Sequence, residues 1–195
     1  MHKIALAILL LNFYAISAFG QFIGEIEMKL ESPQGQGNII FTFGNDAERM
    51  DMLLHPPQLP SPIKTSMILK HDNPDEAYLL MDASKSYMIL DLKKAAGMTG
   101  AINVDEQYSV TVIGNEKIQG YQSKHVKVTG ATTDLELWLS PEILDFETFR
   151  RLQSQNPKMS NSALAEALRQ AGADGFPVKM LQKVNGKLVT TELLS

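Results

Sequence analysis

The sequence predicts a mainly β (α+β) fold: one curved antiparallel sheet or half-open β-barrel of about eleven strands. Two or three helices are expected to pack on its concave side. Two observations lead to this prediction. Apolar and polar residues alternate with a period of two along most of the chain, which is typical of strands with one face in water. Helical patterns do not alternate regularly with the strand patterns, which disfavours a parallel sheet.

The strand patterns begin shortly after residue 20 and continue to residue 139. In Glu25–Glu31 the apolar residues Ile26, Met28 and Leu30 share one face, and the charged residues share the other. The same alternation predicts strands at Asn38–Phe43, Glu48–Leu54, 64–70, 77–82, 86–91, 107–113, 120–128 and 134–139.

Turn signals separate these strands. Ser32–Gly37 is predicted to be a loop, and Asp72–Asp75 and Asp82–Lys85 are predicted to be hairpin turns. His55–Pro62 holds four prolines in eight positions, which no hydrogen-bonded ladder tolerates. The proline-rich segment, named Pro56–Pro62 below, is therefore an extended surface crossing, a flap at the edge of the sheet, or a plain linker.

Helical patterns follow the ninth strand. Ser140 is predicted to cap a helix, with Pro141 in its first turn and Arg150 and Arg151 near its end. A second helix is predicted at 161–171 and a third at 93–101. The chain is then predicted to close with a hairpin of Val178–Val184 and Lys187–Leu193 around the turn sequence Asn185-Gly186.

The first twenty residues read as a secretory signal peptide. A short basic start is followed by the apolar run Ile4–Leu11, and Ala18 and Gly20 place small residues before a cleavage site at Gln21. The apolar run is shorter than the roughly 20 residues that span a bilayer. We therefore expect a single domain at 21–195, without a transmembrane segment, in the periplasm or secreted. An uncleaved anchor is the alternative.

Composition excludes several classes of function. The chain of 195 residues has no cysteine, so it has no disulfides or thiol chemistry, and its net charge of −4 gives no electrostatic case for nucleic acid. Nucleotide-binding, serine-hydrolase and zinc-protease motifs do not occur, and His125 most simply lies on a strand face. We expect no enzyme activity and no cofactor. The alternative is an enzyme in which carboxylates meet in the folded chain to form a catalytic cluster.

Two groups of polar or soft side chains could bind metal. Met50, Met52 and His55 offer soft ligands for Cu(I), provided that the strand ends before His55; otherwise the two methionines belong to the core. The segment 71–76 is rich in oxygen ligands that attract Ca²⁺, although it lacks the EF-hand spacing and an acidic hairpin turn explains it more simply. We predict no metal site.

From residue 119 onward the chain resembles a known family. The resemblance rests on the segments Gly120–Val128, Glu136–Ser140, Phe146–Phe149, Gly175–Val178 and the earlier hairpin Asp82–Asp91. These resemble the DUF4412 family, exported bacterial proteins of unknown function. The resemblance implies an architecture similar to the LolA/LolB lipoprotein carriers, in which a half-open β-barrel is closed by helices around an apolar cavity.

These observations predict an exported binding module for an apolar ligand such as an acyl chain or another lipid-like molecule. The candidate cavity residues are apolar side chains on inward strand faces and on the helix: Phe41, Phe43, Met50, Met52, Met67, Met81, Trp138, Phe146 and Phe149. Any of these methionines could instead simply fill the core. The alternative function is an envelope interaction or structural protein that recruits a protein partner through its edge strands or Pro56–Pro62.

Overall fold

The computed structural model describes residues 22–94, 107–153, 159–184 and 186–194. Within them eleven strands form one antiparallel sheet. The strands are β1 (Gly24–Ser32), β2 (Gly35–Phe43), β3 (Ala47–His55), β4 (Ile63–Lys70), β5 (Asn73–Met81), β6 (Ser86–Asp91), β7 (Ser109–Ile118), β8 (Tyr121–Thr129), β9 (Asp134–Ser140), β10 (Phe176–Val184) and β11 (Lys187–Leu193). A short 3₁₀ helix (Asp82–Ser84) lies between β5 and β6, and the α-helices that lie wholly within the described residues are α1 (Phe146–Leu152) and α2 (Ser162–Gln170). The predicted class, a half-open antiparallel sheet of eleven strands, is confirmed.

The sheet consists of two meanders joined through the first and last strands. Its strand order is β6-β5-β4-β3-β2-β1-β11-β10-β9-β8-β7, so β6 and β7 form the two edges. The predicted closing hairpin is present, with Val184 opposite Lys187. The signal-peptide segment, Asn185 and most of the predicted helix at 93–101 lie outside the described residues.

The concave face is built from cross-strand rows of apolar side chains. One row runs from Ile26 to Phe41, Met50 and Met67, each opposite the next on the neighbouring strand. All four side chains are buried. Because successive residues of a strand point to opposite faces, the alternation in the sequence is what brings these side chains to one side.

Both helices begin at a side-chain cap. The Asp145 carboxylate accepts a hydrogen bond from the Thr148 N–H at 2.6 Å, and the Asn161 side chain accepts one from the Ala163 N–H at 2.9 Å. Leu164 and Leu168 form the buried face of α2. These caps satisfy backbone donors in the first turn of each helix, which have no partner within the helix.

The predicted start of the first helix at Ser140 was wrong. Ser140 is the last residue of β9, where it pairs with Phe176 of β10, and a turn follows before α1 begins at Phe146. The Ser-Pro-Glu sequence is a local helix signal, but strand pairing outweighs it here. The Asp174 carboxylate receives the Phe146 N–H at 2.9 Å and so helps to fix the later start.

The predicted loop Ser32–Gly37 was too long, because Gly35 and Gly37 belong to β2. A side-chain Cβ at Gly37 would lie 2.0 Å from the Leu53 carbonyl oxygen, and one at Gly35 would lie 2.2 Å from the His55 oxygen. Only glycine permits β3 to approach this closely. The glycines therefore serve the ladder between β2 and β3 rather than a flexible connection.

The seventh strand is longer than predicted. It runs to Ile118 because the ladder between β7 and β8 continues past a register shift between Val112 and Gly114. The turn comes at Gln119 and Gly120, which both have positive φ angles of 48° and 93°. Positive φ at two successive residues is the conformation of a tight hairpin turn.

Candidate functional site

Helix α1 occupies the middle of the concave side. The ring of Phe149 lies 5.7 Å from that of Phe41, 5.8 Å from Phe146 and 5.3 Å from Phe176, measured between centroids. All four rings are buried. The structure therefore brings the candidates Phe41, Phe146 and Phe149 together, but mainly as a packed aromatic cluster. Other residues of α1 line two cavities: Thr148 and Arg151 line one, and Leu152 lines the other.

The smaller cavity is lined by methionine side chains. It has a volume of about 230 Å³. Its apolar walls come from the sheet and from the chain around α1, and include five methionines: Met28, Met50, Met52, Met159 and Met180. Phe41 and Leu152 complete the wall nearest α1. We call this space the methionine cavity; three of the predicted cavity residues, Phe41, Met50 and Met52, line it.

The larger cavity has charged groups in its wall. It has a volume of about 670 Å³ and is lined by Phe22, Phe43, Ile143 and Leu144 together with Glu48, His71, Asp145, Thr148, Arg151 and Asp174. Of the predicted cavity residues, Phe43 lines this space. We call it the charged cavity.

Glu48 is the unusual residue of the charged cavity. It stands in a cross-strand row between Phe43 and Leu69, both buried apolar residues, and is only 1% exposed. Arg151, on α1, donates a hydrogen bond from Nη2 to Glu48 Oε1 at 2.6 Å. The guanidinium supplies the charge that a buried carboxylate requires, so this pair couples α1 to β3.

His71 stands on the other side of the Glu48 carboxylate. Its Nδ1 lies 2.9 Å from the Asn45 carbonyl oxygen, which can only accept, so Nδ1 carries the proton. Its Nε2 is buried, has no hydrogen-bond partner among the described residues, and lies 3.5 Å from Glu48 Oε1. Nε2 thus lies close to the Glu48 carboxylate without a hydrogen bond to it. This region of the wall is polar and incompletely hydrogen-bonded.

Three of the predicted cavity residues lie elsewhere. Met67 is fully buried in the core and lines neither cavity. Met81 shares the strand face of the buried Ala77, but it is 41% exposed at the end of β5 and lines neither cavity. Trp138 points to the convex face, because its neighbours Leu137 and Leu139 occupy the opposite face of β9.

Trp138 belongs to a polar cluster on the convex face. Its ring stacks on His125 with centroids 3.9 Å apart, and its Nε1 donates to Glu116 Oε2 at 3.0 Å. The two nitrogens of His125 lie 3.1 Å from Glu116 Oε1 and 3.2 Å from Glu136 Oε2. Since carboxylates only accept, both contacts are hydrogen bonds when the imidazole is doubly protonated. The cluster ties β7, β8 and β9 together.

A second polar group on the convex face lies between β3 and β4. Burial disfavours a charged Asp51, but hydrogen bonds from Arg49 and Ser66 outweigh this effect and hold the Asp51 pKa below its ordinary value. A carboxyl pKa that is lower in the folded chain stabilises the fold above the unfolded pKa. That stabilisation is lost as the pH falls through the folded pKa.

The structure does not bring together the candidate metal ligands that the sequence suggested. Strand β3 continues through His55, so the exposed imidazole lies on the opposite face from Met50 and Met52 and the condition for a shared Cu(I) site fails. Asn73 and the residues after it join β5 instead of forming an oxygen-rich loop. Over the described parts of the chain, no group of three or more His, Cys, Asp or Glu residues is placed to hold an ion.

Several residues of the two cavities were missed from the sequence. Glu48 has the same strand parity as Met50 and Met52, so the alternation already placed it on the concave face. Arg151 was noted only for its position near a helix end. Met159 carried no strand or helix signal, because it lies between α1 and α2. The positions of the helices, which the sequence patterns do not specify, decide which residues line a cavity.

An open half-barrel of antiparallel strands, with helices and two cavities on its concave side, defines the class of this domain. The chain belongs to the DUF4412 family (Domain of unknown function), whose sequence model matches residues 22–195. The predicted family is thus confirmed. No curated protein matches the sequence significantly. No helix among the described residues is long and apolar enough to cross a membrane.

Several solved structures are similar in fold. The MucA/MucB complex of Pseudomonas aeruginosa matches at 12% identity and a TM-score of 0.44, over 87% of this chain and 49% of the other. A MucB structure matches at 11% identity and a TM-score of 0.45, over 97% of this chain and 57% of the other. A domain from Vibrio parahaemolyticus, described as an outer membrane lipoprotein-sorting protein, matches at 11% identity and a TM-score of 0.30, over 88% of this chain and 84% of the other. The chain spans about half the length of the MucB structures.

Proposed function

We propose that this protein is an exported, non-catalytic binding module that holds an apolar ligand, such as an acyl chain or a lipid-like molecule, in the methionine cavity. The observation that carries the proposal is the set of five thioether side chains around one space on the concave side. Methionine is flexible and polarizable, so a cavity lined with it adapts to different apolar shapes. Apolar walls with few polar groups are typical of small-molecule sites.

The charged cavity is larger, but its wall is unsuitable for a purely apolar ligand. A ligand without polar groups would exclude water from Glu48, Arg151 and His71 without replacing the hydrogen bonds that water makes. Such desolvation costs about 1–3 kcal/mol for each polar group left without a partner. The methionine cavity has no charged residue in its wall, and its polar lining is limited to Gln153, Gln182 and Thr191, so we assign the apolar ligand to it.

The size of the methionine cavity limits the ligand. Its volume of about 230 Å³ is below the roughly 300–1,000 Å³ of most drug-sized ligand sites. The cavity is therefore suited to a slender, unbranched apolar group. Met52 and Met180 are only partly buried and have room to change rotamer around such a group.

Filling the methionine cavity is expected to abolish this binding. Met52→Trp places an indole in the space, and we expect the affinity for a fluorescent fatty acid, displaced by octanoate, to fall at least tenfold, or about 1.4 kcal/mol. Leu53→Trp is the matched control, because Leu53 is the next residue of β3 and its exposed side chain points to the other face. The control is expected to bind as the unchanged protein does.

Two results would contradict the proposal. One is a correctly folded unchanged protein that binds neither the fluorescent fatty acid nor octanoate. The other is a Met52→Trp variant that is folded by circular dichroism and retains full affinity. Equal weakening in both tryptophan variants also argues against the methionine cavity, since Leu53 does not line it.

Export is a separate part of the proposal. The segment Met1–Gly20 has the composition of a cleaved signal peptide, and β1 begins only four residues after Gly20, at Gly24. When the whole chain is expressed in a bacterium, we expect the protein to be periplasmic or secreted. Its intact mass is expected to equal that of a chain that starts at Gln21. A mass that retains residues 1–20 would support a membrane anchor instead.

The alternative function, an envelope interaction protein, is favoured by one specific observation. Three apolar residues of edge strand β6 are exposed: the exposed fraction is 61% for Tyr87, 46% for Met88 and 51% for Ile89. An edge strand with exposed apolar side chains is able to pair with another chain. This alternative does not exclude ligand binding, because none of the three residues lines the methionine cavity.

A further inference from the structure

The two edges of the sheet differ in how well they are protected. Edge strand β7 has a register shift between Val112 and Gly114 and carries Glu116 and Lys117. Bulges and charges of this kind prevent edges from pairing with other chains. Edge strand β6 pairs regularly with β5 over all six residues, and its only charged residue is the last one, Asp91.

The exposed side chains of β6 cover both faces of the sheet. Met88 lies opposite Leu79 and continues the concave face, whereas Tyr87 and Ile89, on either side of it, belong to the convex face. All three are more than two-fifths exposed. A partner that covers them must therefore extend the sheet itself, because a partner on one face would leave the other uncovered.

We propose that β6 pairs with β6 of a second copy of this chain, antiparallel and centred on Met88. This interaction goes beyond the proposed ligand binding. A two-fold axis perpendicular to the sheet keeps concave side chains opposite concave ones. One residue must therefore lie opposite its own copy, with the axis midway between the two copies. Centring on Met88 places Met88 opposite its own copy and Tyr87 opposite Ile89 of the second copy. Aromatic and β-branched residues in opposite positions form favourable cross-strand pairs.

Neighbouring registers are less favourable. Centring on Tyr87 would place Lys85 opposite Ile89 of the second copy, and centring on Ile89 would place Tyr87 opposite Asp91. The register centred on Met88 instead places Lys85 opposite Asp91 of the second copy, twice. Lys85 is the exposed turn residue just before β6, with a φ angle of 49°, and its side chain would have to reach Asp91 from that turn. The Asp91 side chain is 44% exposed and also lies 3.4 Å from Lys94 of its own chain. This charge complementarity at both ends of β6 favours a second copy over an unrelated partner.

The association is expected to be weak. The register centred on Met88 pairs five residues of β6 in each chain, Ser86–Leu90, which is short compared with stable interfaces that bury about 1,600 Å² in total. Covalent capture is therefore the appropriate measurement, and the chain is suited to it because it contains no cysteine. A single introduced cysteine is then the only thiol.

Cysteine substitution tests the register. Met88→Cys is expected to form a disulfide-linked dimer under mild oxidation, because paired residues lie about 4.5–5.5 Å apart between Cα atoms. Tyr87→Cys alone and Ile89→Cys alone are expected to cross-link poorly, because each residue lies about 8 Å from its own copy. Mixing the Tyr87→Cys and Ile89→Cys proteins is expected to restore cross-linking.

A further variant tests the proposal without a disulfide. Met88→Lys is expected to lower the dimer fraction in sedimentation at high protein concentration, with unchanged circular dichroism and unchanged fatty-acid binding. Cross-linking of Tyr87→Cys or Ile89→Cys as fast as that of Met88→Cys would overturn the proposal. So would cross-linking of Met88→Cys only to other proteins, or an unchanged dimer fraction in Met88→Lys. None of these outcomes depends on the methionine cavity.

Discussion

Replacement of Phe149 by alanine is expected to lower the free energy of unfolding by about 3–5 kcal/mol. Phe149 is fully buried and its ring contacts those of Phe41, Phe146 and Phe176. Truncation removes the contacts of the Phe149 ring with both halves of the sheet, since Phe41 lies on β2 and Phe176 on β10. It also leaves a space that the surrounding rings cannot fill completely.

Chemical denaturation of Phe149→Ala measures this effect. Leu59→Ala is the control, because Leu59 lies in the proline-rich connection, is 51% exposed, and should change the free energy by no more than about 0.5 kcal/mol. A loss of less than about 1.5 kcal/mol in Phe149→Ala, about the cost of a mild core substitution, would show that α1 is not anchored as described.

Removal of Arg151 is expected to destabilise the protein more than removal of Glu48. Arg151→Ala leaves the nearly fully buried Glu48 carboxylate without its guanidinium partner, at a cost of about 1–3 kcal/mol. The estimate is kept below that for a fully buried pair, because the Arg151 side chain is 44% exposed and water reaches this site. Glu48→Leu instead replaces the carboxylate by an apolar side chain in a row of apolar neighbours.

The comparison between these two variants is the sharper part of the prediction. We expect Glu48→Leu to be within about 1 kcal/mol of the unchanged protein, or more stable, since apolar replacement of a buried charge is often neutral or stabilising. Arg151 then remains half exposed and solvated. Thermal or denaturant unfolding of both variants checks the order. A Glu48→Leu variant less stable than Arg151→Ala would contradict the assigned role of the pair.

Much of the fold could be predicted from alternation. A period of two identifies strands and faces, and it placed Phe41, Met50 and Met52 correctly on the concave side. Local patterns failed where long-range pairing decides. Ser140 has the sequence context of a helix cap, yet it pairs with Phe176, which lies thirty-six positions further along the chain. The two glycines of β2 resemble loop residues but permit the close approach of β3.

The candidate site could be predicted only in part, for a physical reason. Strand parity tells which face a side chain occupies, but not how far along the strand the helices cover it. Met81 has the parity of the buried Ala77 and is exposed because it lies at the end of β5. The position of α1 across the sheet creates two cavities with different walls, and no local pattern in the sequence specifies that position.

The central claim is that the methionine cavity holds the apolar ligand, and methionine methyl groups report on it directly. In the protein labelled with ¹³C at the methionine methyls, titration with octanoate is expected to shift the signals of the lining residues Met28, Met50, Met52, Met159 and Met180. Met81 and Met88, which are exposed outside the cavity, should remain unchanged. Shifts confined to Met81 and Met88, or no shifts at saturating octanoate, would contradict the account.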